Sequence, residues 1–237
     1  EHGRLRRGPT ARGVVVSDTS PVATDVSPVI VAIDGPAGAG KSTVGRAVAS
    51  RLGLQYLDTG AMYRAVTFAA LRRGIDPTDE TDVASLAAAI EMTLDGTAVI
   101  VDGVDATVEI RGREVTAAVS AVAANSRVRA ELVRRQRSWV AEHGGGVVEG
   151  RDIGSVVFPD ATLKLYVTAS PRVRAERRVA EIGGNVDDVE SSIIERDRKD
   201  STRADSPLME SSGAIVVDTT GSSVDEVVDH VLGLMPA

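Results

Sequence analysis

Residues 31–43 read V-A-I-D-G-P-A-G-A-G-K-S-T, and this stretch decides the fold of the chain. It continues the unbroken apolar run 29–33, whose length and β-branched residues predict a strand buried on both faces of a parallel sheet. The next residues fit the pattern G-x-x-x-x-G-K-[ST] without a mismatch, and apolar positions recur at helical spacing over residues 44–52. The sequence therefore predicts a strand, a glycine-rich loop and a helix in succession.

A glycine-rich loop in this context predicts a site for a nucleoside triphosphate. Its glycines let successive backbone N–H groups point into one concavity, which the N-terminus of the next helix completes. Lys41 would place a positive charge near the β- and γ-phosphates, and the hydroxyl of Ser42 would bind Mg²⁺. A turn that merely starts a helix is the alternative, which the intact motif and its flanks disfavour. The residues predicted to hold the triphosphate are Gly35, Pro36, Ala37, Gly38, Ala39, Gly40, Lys41, Ser42 and Thr43.

Composition narrows the class of protein. The 237 residues are 43% hydrophobic and 26% charged, which predicts a globular chain with a substantial core, built as one domain with an insertion. The absence of cysteine excludes a disulfide framework and a cysteine-based zinc site, and the three histidines lack metal-ligand spacing. No apolar run approaches a membrane span and no signal-peptide pattern opens the chain, so we expect a cytoplasmic protein without a membrane partner. A net charge of −7 argues against general nucleic-acid binding.

The first 27 residues have a different character from the rest. Arginines are mixed there with Gly, Pro, Thr and Ser, without a sustained helical or strand period. This pattern predicts a disordered N-terminal extension over residues 1–27. A basic arm that contacts nucleic acid is the alternative.

Two more junctions place polar side chains where strands end. The apolar segment 54–57 leads into Asp58 and Thr59, and a helical pattern follows with Arg64 near its first turn. Residues 146–154 take another apolar strand into a glycine-rich turn that holds an Arg-Asp pair. Ligands of α/β sheets lie beyond the carboxyl ends of the strands, so we expect these side chains at the site. For Arg64 alone, an ordinary solvated arginine is the alternative.

A small antiparallel insertion is predicted at about residues 91–116. Hairpin-turn dipeptides, Asp95-Gly96 and Asp102-Gly103, separate short runs of β-type residues. A structural role is the first interpretation, and a movable cap over a second substrate is the functional one, because transfer between two phosphates requires the exclusion of water. The runs predicted as strands are residues 92–94, 99–101 and 107–110.

The second half of the chain is rich in arginine. Residues 116–142 predict a helix broken or bent near Asn125, and Ser170-Pro171 predicts the start of another. Arginines and carboxylates alternate over residues 193–203, in a segment that could close over the site as a helical lid. Planar guanidinium groups suit phosphoryl transfer, because the migrating group spreads negative charge over three oxygens.

Four pieces of the sequence carry a resemblance to a known family, and they are, in order, residues 35–42, 57–64, 150–161 and 196–208. Together they resemble bacterial cytidylate kinases of the long form, and the resemblance runs from about residue 28 to the C-terminus. It implies the three-layer α/β/α sandwich of P-loop NTPases, with a parallel central sheet of about five strands, a small antiparallel β insertion and a helical lid.

The resemblance also implies domain boundaries and an activity. Residues 28–75 and 117–237 would form the core, with the lid at about 174–205, and residues 76–116 would form the insertion that binds the nucleoside monophosphate. The activity would be Mg²⁺-dependent transfer of the γ-phosphoryl group of ATP to CMP or dCMP, in pyrimidine nucleotide metabolism. A monomer is expected, with these nucleotides as its partners.

The site residues that the resemblance implies fall into groups. Asp152 and Arg129 would recognise the cytosine, Arg64, Arg151 and Arg203 would hold the CMP phosphate, and Arg196 and Asp200 would bind the ribose side. Arg174, Arg177 and Arg178 would belong to the lid near ATP, with Arg177 as an ATP ligand. Lys41, Arg151, Arg196 and Arg203 would be catalytic. The CMP site would comprise Asp58, Thr59, Tyr63, Arg64, Ser120, Arg129, Arg151, Asp152, Arg196, Asp200 and Arg203.

Two other functions stay open from the sequence. One is a P-loop kinase of the same architecture with another acceptor, such as UMP or a small hydroxylated metabolite. The other is a regulatory protein that binds ATP without phosphoryl transfer, and the arginine-rich turns argue against it.

Ser42 is the single protein ligand for Mg²⁺ that the sequence indicates.

Overall fold

The computed structural model describes residues 28–202 and 207–236. The predicted disorder of residues 1–27 and the roles expected for Arg203 therefore lie outside the described residues. Within them, the strands are β1 (Val29–Asp34), β2 (Tyr56–Asp58), β3 (Met92–Asp95), β4 (Ala98–Val101), β5 (Val104–Asp105), β6 (Gly145–Glu149), β7 (Leu163–Thr168) and β8 (Ile215–Asp218). The α-helices of the same ranges are α1 (Lys41–Leu52), α2 (Thr59–Arg72), α3 (Glu80–Ala89), α4 (Arg113–Ala124), α5 (Ser126–His143), α6 (Pro171–Ile182), α7 (Val186–Ser201) and α8 (Val224–Gly233).

The central sheet has five parallel strands in the order β2-β6-β1-β7-β8. Its first strand shows how both faces are covered, because Val31 and Ile33 pack into one hydrophobic cluster and Ala32 into the other. Helices α1 and α8 contribute to the first cluster, and α2, α3 and α5 to the second. The predicted three-layer α/β/α architecture with a five-stranded sheet is confirmed.

Strand register aligns three carboxylates at one edge of the sheet. Asp58 on β2 is the neighbour of Glu149 on β6, and Ile33 on β1 is the neighbour of the same glutamate. Asp34, the next residue of β1, therefore lies at the edge where Asp58 and Glu149 end their strands. Parallel strands bring their carboxyl ends together in this way, and ligands bind at that edge.

The backbone leaves β1 through a position that admits only glycine. Gly35 has φ +143°, and a β-carbon there would lie 1.9 Å from the carbonyl oxygen of Val167 on β7. Any side chain would therefore collide with the backbone of the neighbouring strand. This close approach sets the direction in which the loop leaves the sheet and reaches α1.

A second, three-stranded antiparallel sheet, β3-β4-β5, lies between α3 and α4 in the chain. Its predicted first and second strands are confirmed, but the third prediction is wrong, because residues 107–110 form no strand. Asp105 Oδ1 accepts a hydrogen bond from the backbone N–H of Thr107 at 3.0 Å, which ends β5 in a turn, and Glu109–Arg111 is a 3₁₀ turn.

The arginine-rich helices are placed by side-chain caps. Asn125 ends α4 and begins α5, and its side chain accepts from the N–H groups of Arg127 and Val128, so the predicted break is confirmed. The helices α6 and α7 are joined by the ion pair between Arg174 and Asp197, 2.6 Å apart. Across residues 28–202 and 207–236, no helix has both the length and the apolar character needed to cross a bilayer.

Candidate active site

The phosphate-binding loop between β1 and α1 is braced from the β8 side of the sheet. Thr219 Oγ1 donates to the carbonyl oxygen of Ala39 at 2.9 Å, and Lys41 Nζ donates to the carbonyl oxygen of Pro36 at 2.8 Å. Burial and the positive charge of Arg151 lower the pKa of Lys41 from 10.5 to about 8. Burial next to Arg151 disfavours the charged form of Lys41, and a bound anion would favour it. Lys41 beside the loop is therefore suited to binding a multiply charged anion.

Glu149 and Ser42 form the part of the site that fits a magnesium ion. Ser42 Oγ donates to Glu149 Oε1 at 2.7 Å, while Glu149 Oε2 is buried and has no hydrogen-bond partner among the described residues. Burial and the nearby charge of Asp58 raise the pKa of Glu149 to about 7. Hydroxyl and carboxylate oxygens are the ligands that Mg²⁺ takes, and a divalent cation would relieve both causes of the raised pKa. The residues present therefore fit the ion.

A second group of side chains suits recognition of a nucleobase. Asp152 and Arg129 form a buried ion pair, and Arg129 Nη1 also lies 3.5 Å from the hydroxyl oxygen of Tyr63. Thr59, buried at the start of α2, donates from Oγ1 to the carbonyl oxygen of Glu149 at 2.7 Å. Since a hydroxyl has a single proton, this bond leaves Thr59 as an acceptor toward any ligand.

Guanidinium groups gather near the phosphate-binding loop, where Arg151 Nη1 donates to the carbonyl oxygen of Gly35. Burial and the charge of Arg196 lower the pKa of Arg64 to about 10. Burial and the charge of Arg151 likewise lower the pKa of Arg196 to about 10, and Nε of Arg196 is buried without a hydrogen-bond partner among the described residues. Asp200 Oδ2 accepts from Arg151 Nε at 3.0 Å. Cations crowded at such a cost form a site for anionic oxygens.

Several predicted residues have clear structural contacts of their own. Arg174 is buried and donates to the carbonyl oxygens of Ala37 and Ala169, so it fastens α6 to the loop. Arg177 donates to the side chain and the carbonyl oxygen of Thr219 at 3.0 and 2.8 Å, beside the loop. Their predicted roles near ATP remain predictions.

The remaining predicted residues lie around this centre. Arg178 pairs with Glu181 at 3.1 Å on α6, and its charge also contributes to the lowered pKa of Arg196. Ser120 is half-buried on α4, and Thr43 is exposed on α1. The structure thus brings Lys41, Ser42, Arg64, Arg151 and Arg196 toward one region. Thr59 adjoins this region through its bond to Glu149, and Arg129 and Asp152 pair with each other.

Sequence reasoning missed two residues of the site. Glu149 was recognisable as a carboxylate that ends an apolar strand, but its distance from Ser42 depends on strand order. Arg111 in the insertion lies 3.8 Å from Asp58 and adds to the positive charge that lowers the pKa of Arg64. No local pattern marks Arg111, which directly follows residues 107–110, the run predicted as a strand.

Comparison with known proteins identifies the family. The chain is 48% identical over 217 residues to the cytidylate kinase of Corynebacterium efficiens, covering 88% of this chain and 94% of that protein. It is 49% identical over 216 residues to the cytidylate kinase of Mycobacterium avium, covering 87% and 95%. A solved shikimate kinase from Bacteroides thetaiotaomicron is similar over 87% of this chain and 97% of its own, but at 15% identity and a TM-score of 0.44 that likeness carries no argument about substrate. The family model described as cytidylate kinase matches residues 31–237, and the chain belongs to the cytidylate kinase family.

Proposed function

We propose that this protein transfers the γ-phosphoryl group of ATP to CMP or dCMP, yielding ADP and CDP or dCDP. The observation that carries the proposal is the pair of anion sites that share one edge of the sheet. The loop with Lys41 suits the triphosphate, and the cluster of Arg64, Arg151 and Arg196 suits a second phosphate beside it. A protein that only senses ATP has no need of the second site.

In the proposed reaction, an oxygen of the CMP phosphate attacks the γ-phosphorus of ATP. The bond from that phosphorus to the β,γ-bridging oxygen breaks, and its electron pair leaves with ADP. No protein nucleophile is needed, since the acceptor oxygen already carries negative charge. Arg151 and Arg196, with Arg203 from the resemblance, would stabilise the charge that spreads over the migrating group.

Magnesium would be held by Ser42 and Glu149 and would neutralise charge on the β- and γ-phosphates of ATP when bound. Lys41 would hold the same phosphates from the loop. Glu149 Oε2 is buried and has no hydrogen-bond partner among the described residues, which supports this assignment. Burying a carboxylate oxygen without a donor costs free energy unless a cation reaches it.

Preference for cytosine is supported by two acceptor groups, Thr59 and Asp152. Thr59 is committed as an acceptor by its bond to the Glu149 carbonyl oxygen, and Asp152 is a carboxylate held by Arg129. The exocyclic amine of cytosine donates to such groups, whereas the O4 carbonyl of uracil would place acceptor against acceptor. Arg129 would donate to the cytosine ring.

We also propose that residues 76–116 form the moving cap over CMP and that α6 and α7 form the lid over ATP. The insertion already reaches the core helix α1, because Arg46 Nη1 donates to the carbonyl oxygen of Gly96 at the β3-β4 turn, 2.7 Å away. Closure of both parts would exclude water from the migrating phosphoryl group.

The experiment is ADP production with ATP and Mg²⁺, with CMP, dCMP, UMP or AMP as the acceptor, and with the phosphorylated product identified by chromatography. Turnover of CMP and dCMP well above UMP and AMP is expected. Asp152→Ala should abolish this preference, while Asp225→Ala, an exposed carboxylate on α8, should not change it.

Two results would overturn the proposal. Equal use of CMP and UMP would assign the protein to another acceptor. ADP release that is independent of every acceptor, without a phosphorylated product, would make it an ATP-binding protein of a different class.

A further inference from the structure

Asp34 is a buried carboxylate that none of the proposed roles uses. It ends β1, directly before the phosphate-binding loop, and is 2% exposed. Its side chain nevertheless binds the turn after β6. Oδ1 accepts from the backbone N–H of Ile153 at 2.7 Å, and Oδ2 accepts from the N–H of Gly154 at 2.8 Å.

These two N–H groups belong to the residues that directly follow Asp152. Two more bonds join the same stretch to β1 and its exit. The N–H of Gly150 donates to the carbonyl oxygen of Ile33 at 2.9 Å, and Arg151 Nη1 donates to the carbonyl oxygen of Gly35. Hydrogen bonds therefore attach the turn that carries Arg151 and Asp152 to β1, the strand that leads into the phosphate-binding loop.

The side chain of Asp152 is held from the other direction by Arg129 on α5. Its orientation consequently has two determinants, namely the ion pair at the carboxylate and the position of its backbone. Asp34 acts on the backbone of this turn, because its two oxygens accept from the N–H groups of Ile153 and Gly154. Removing one Asp34 oxygen would leave the Arg129 pair in place and free the turn to shift.

A carboxylate is the group that this arrangement requires. Each Asp34 oxygen faces an N–H donor, so an amide in its place would direct its own N–H₂ group at one of them. Burial raises the pKa of Asp34 to about 6, so the protein bears a cost to keep a carboxyl group here. Two neighbouring charges also act on it, because Asp152 raises the pKa of Asp34 and Lys41 lowers it.

We propose that Asp34 is a positioning residue that sets how Asp152 and Arg151 meet the acceptor nucleotide, without contacting either substrate. This inference rests on the proposed function. It predicts that damage at Asp34 is confined to the acceptor side of the reaction, although Asp34 adjoins the ATP loop in sequence.

The test compares Asp34→Asn with wild type, and with Glu226→Gln as the matched control. Glu226 also accepts from a backbone N–H, that of Ser223 at 2.9 Å, but it is exposed on α8, away from the residues assigned to the site. For Asp34→Asn we expect the KM for CMP to rise about tenfold or more, because the loss of one hydrogen bond to a charged group has an effect of this size. The ratio of UMP to CMP turnover should also rise. The affinity for ATP, measured by calorimetry, should stay within about twofold of wild type. Hydrogen exchange should accelerate in the peptide that covers residues 150–158.

Parallel losses of ATP and CMP binding, or an unchanged UMP-to-CMP ratio, would overturn the inference. If Asp34→Asn does not fold, Asp34→Glu keeps both oxygens but shifts them by one methylene, and it should raise the KM for CMP and leave ATP binding intact. Equal weakening of both substrates in that variant would assign Asp34 a purely structural role. If the wild type does not phosphorylate CMP, the proposed function itself is contradicted. If the wild type is active but the Asp34 variants have the same KM for CMP as wild type, this inference alone is contradicted.

Discussion

Ser42 Oγ and Glu149 Oε1 are 2.7 Å apart, joined by a hydrogen bond between residues 107 positions apart in sequence. The bond connects the helix that begins at the phosphate-binding loop to the strand beside β1. Among the residues that the structure describes, the second oxygen of Glu149 is buried and has no hydrogen-bond partner, and the proposed magnesium ion would contact it. This relationship yields the most direct prediction about the metal.

Replacement of Glu149 by Gln should weaken magnesium binding while keeping an acceptor for Ser42. We expect the Mg²⁺ concentration for half-maximal activity to rise about 10- to 100-fold, the range seen when groups around a metal are altered. Calorimetry with ATP in the absence of Mg²⁺ should give an unchanged affinity. Glu142→Gln, on the exposed face of α5, is the control, and an unchanged Mg²⁺ requirement in Glu149→Gln would refute the assignment.

Loss of the Thr59 hydroxyl should reduce discrimination against uracil. Thr59→Val keeps the shape but leaves the buried Glu149 carbonyl oxygen without its donor and removes the acceptor for the cytosine amine. The ratio of kcat/KM for CMP to that for UMP should fall about 10- to 100-fold, corresponding to roughly 1–3 kcal/mol. Thr59→Ser restores the hydroxyl and should restore the ratio. A ratio that is the same in Val and wild type would contradict the prediction.

Arg196→Lys tests whether the guanidinium, rather than charge alone, stabilises transfer. Lysine keeps the positive charge but lacks the planar fork that contacts two oxygens at once. Single-turnover measurements should show phosphoryl transfer slowed about 100-fold or more, with the affinity for ATP little changed. Arg198→Lys, two residues along α7 and exposed, is the matched control. Full activity of Arg196→Lys would remove Arg196 from the catalytic residues.

The pKa of Glu149 predicts a pH dependence of stability. Its folded-state pKa of about 7 lies above the ordinary value of 4.5, so between these values the folded protein retains a proton that the unfolded chain has lost. Stability from this group is complete below pH 4.5 and declines as the pH rises toward 7. Relative to wild type, Glu149→Gln should therefore gain roughly 1–3 kcal/mol between pH 5 and 7.5, measured by denaturant unfolding without nucleotide. A constant difference would show that the carboxyl group titrates normally.

Gly35→Ala should prevent folding or strongly destabilise the protein. The added β-carbon would overlap the Val167 carbonyl oxygen, and backbone atoms of a central strand cannot move aside. We expect a loss of about 3 kcal/mol or more in chemical denaturation. Gly53→Ala is the control, because Gly53 has φ +66° with no atom within 4 Å of its β-carbon position, so its cost should be about 1 kcal/mol. Equal losses would show that backbone conformation alone matters at Gly35.

Local signals explain what could be predicted from the sequence. The strand, loop and helix around Lys41 follow from one contiguous motif, and the break at Asn125 follows from its capping side chain. The role of Glu149 required the strand order β2-β6-β1, which places it next to Ser42 and Asp58 and is invisible in any short window.

The misassigned third strand of the insertion has a comparable cause. The β-type residues of 107–110 predicted a strand, in which Val108 and Ile110 would lie on the same face, yet Val108 is 77% exposed and Ile110 fully buried. Val108 and Ile110 would share one face of a strand, but here one side chain is in solvent and the other is in the core. The Asp105 side chain decides between strand and turn here, and a periodicity argument does not include it.

The like charges that lie close together at the carboxyl ends of the strands affect how long the protein persists in the cell. Carboxylates at Asp58 and Glu149 repel each other, and so do the guanidiniums of Arg64, Arg151 and Arg196. Each repulsion is relieved by a ligand of the opposite charge, so binding free energy is added to folding free energy. Protease resistance should therefore follow the supply of magnesium nucleotide and monophosphate, and scarcity of substrate would shorten the lifetime of the protein that consumes it.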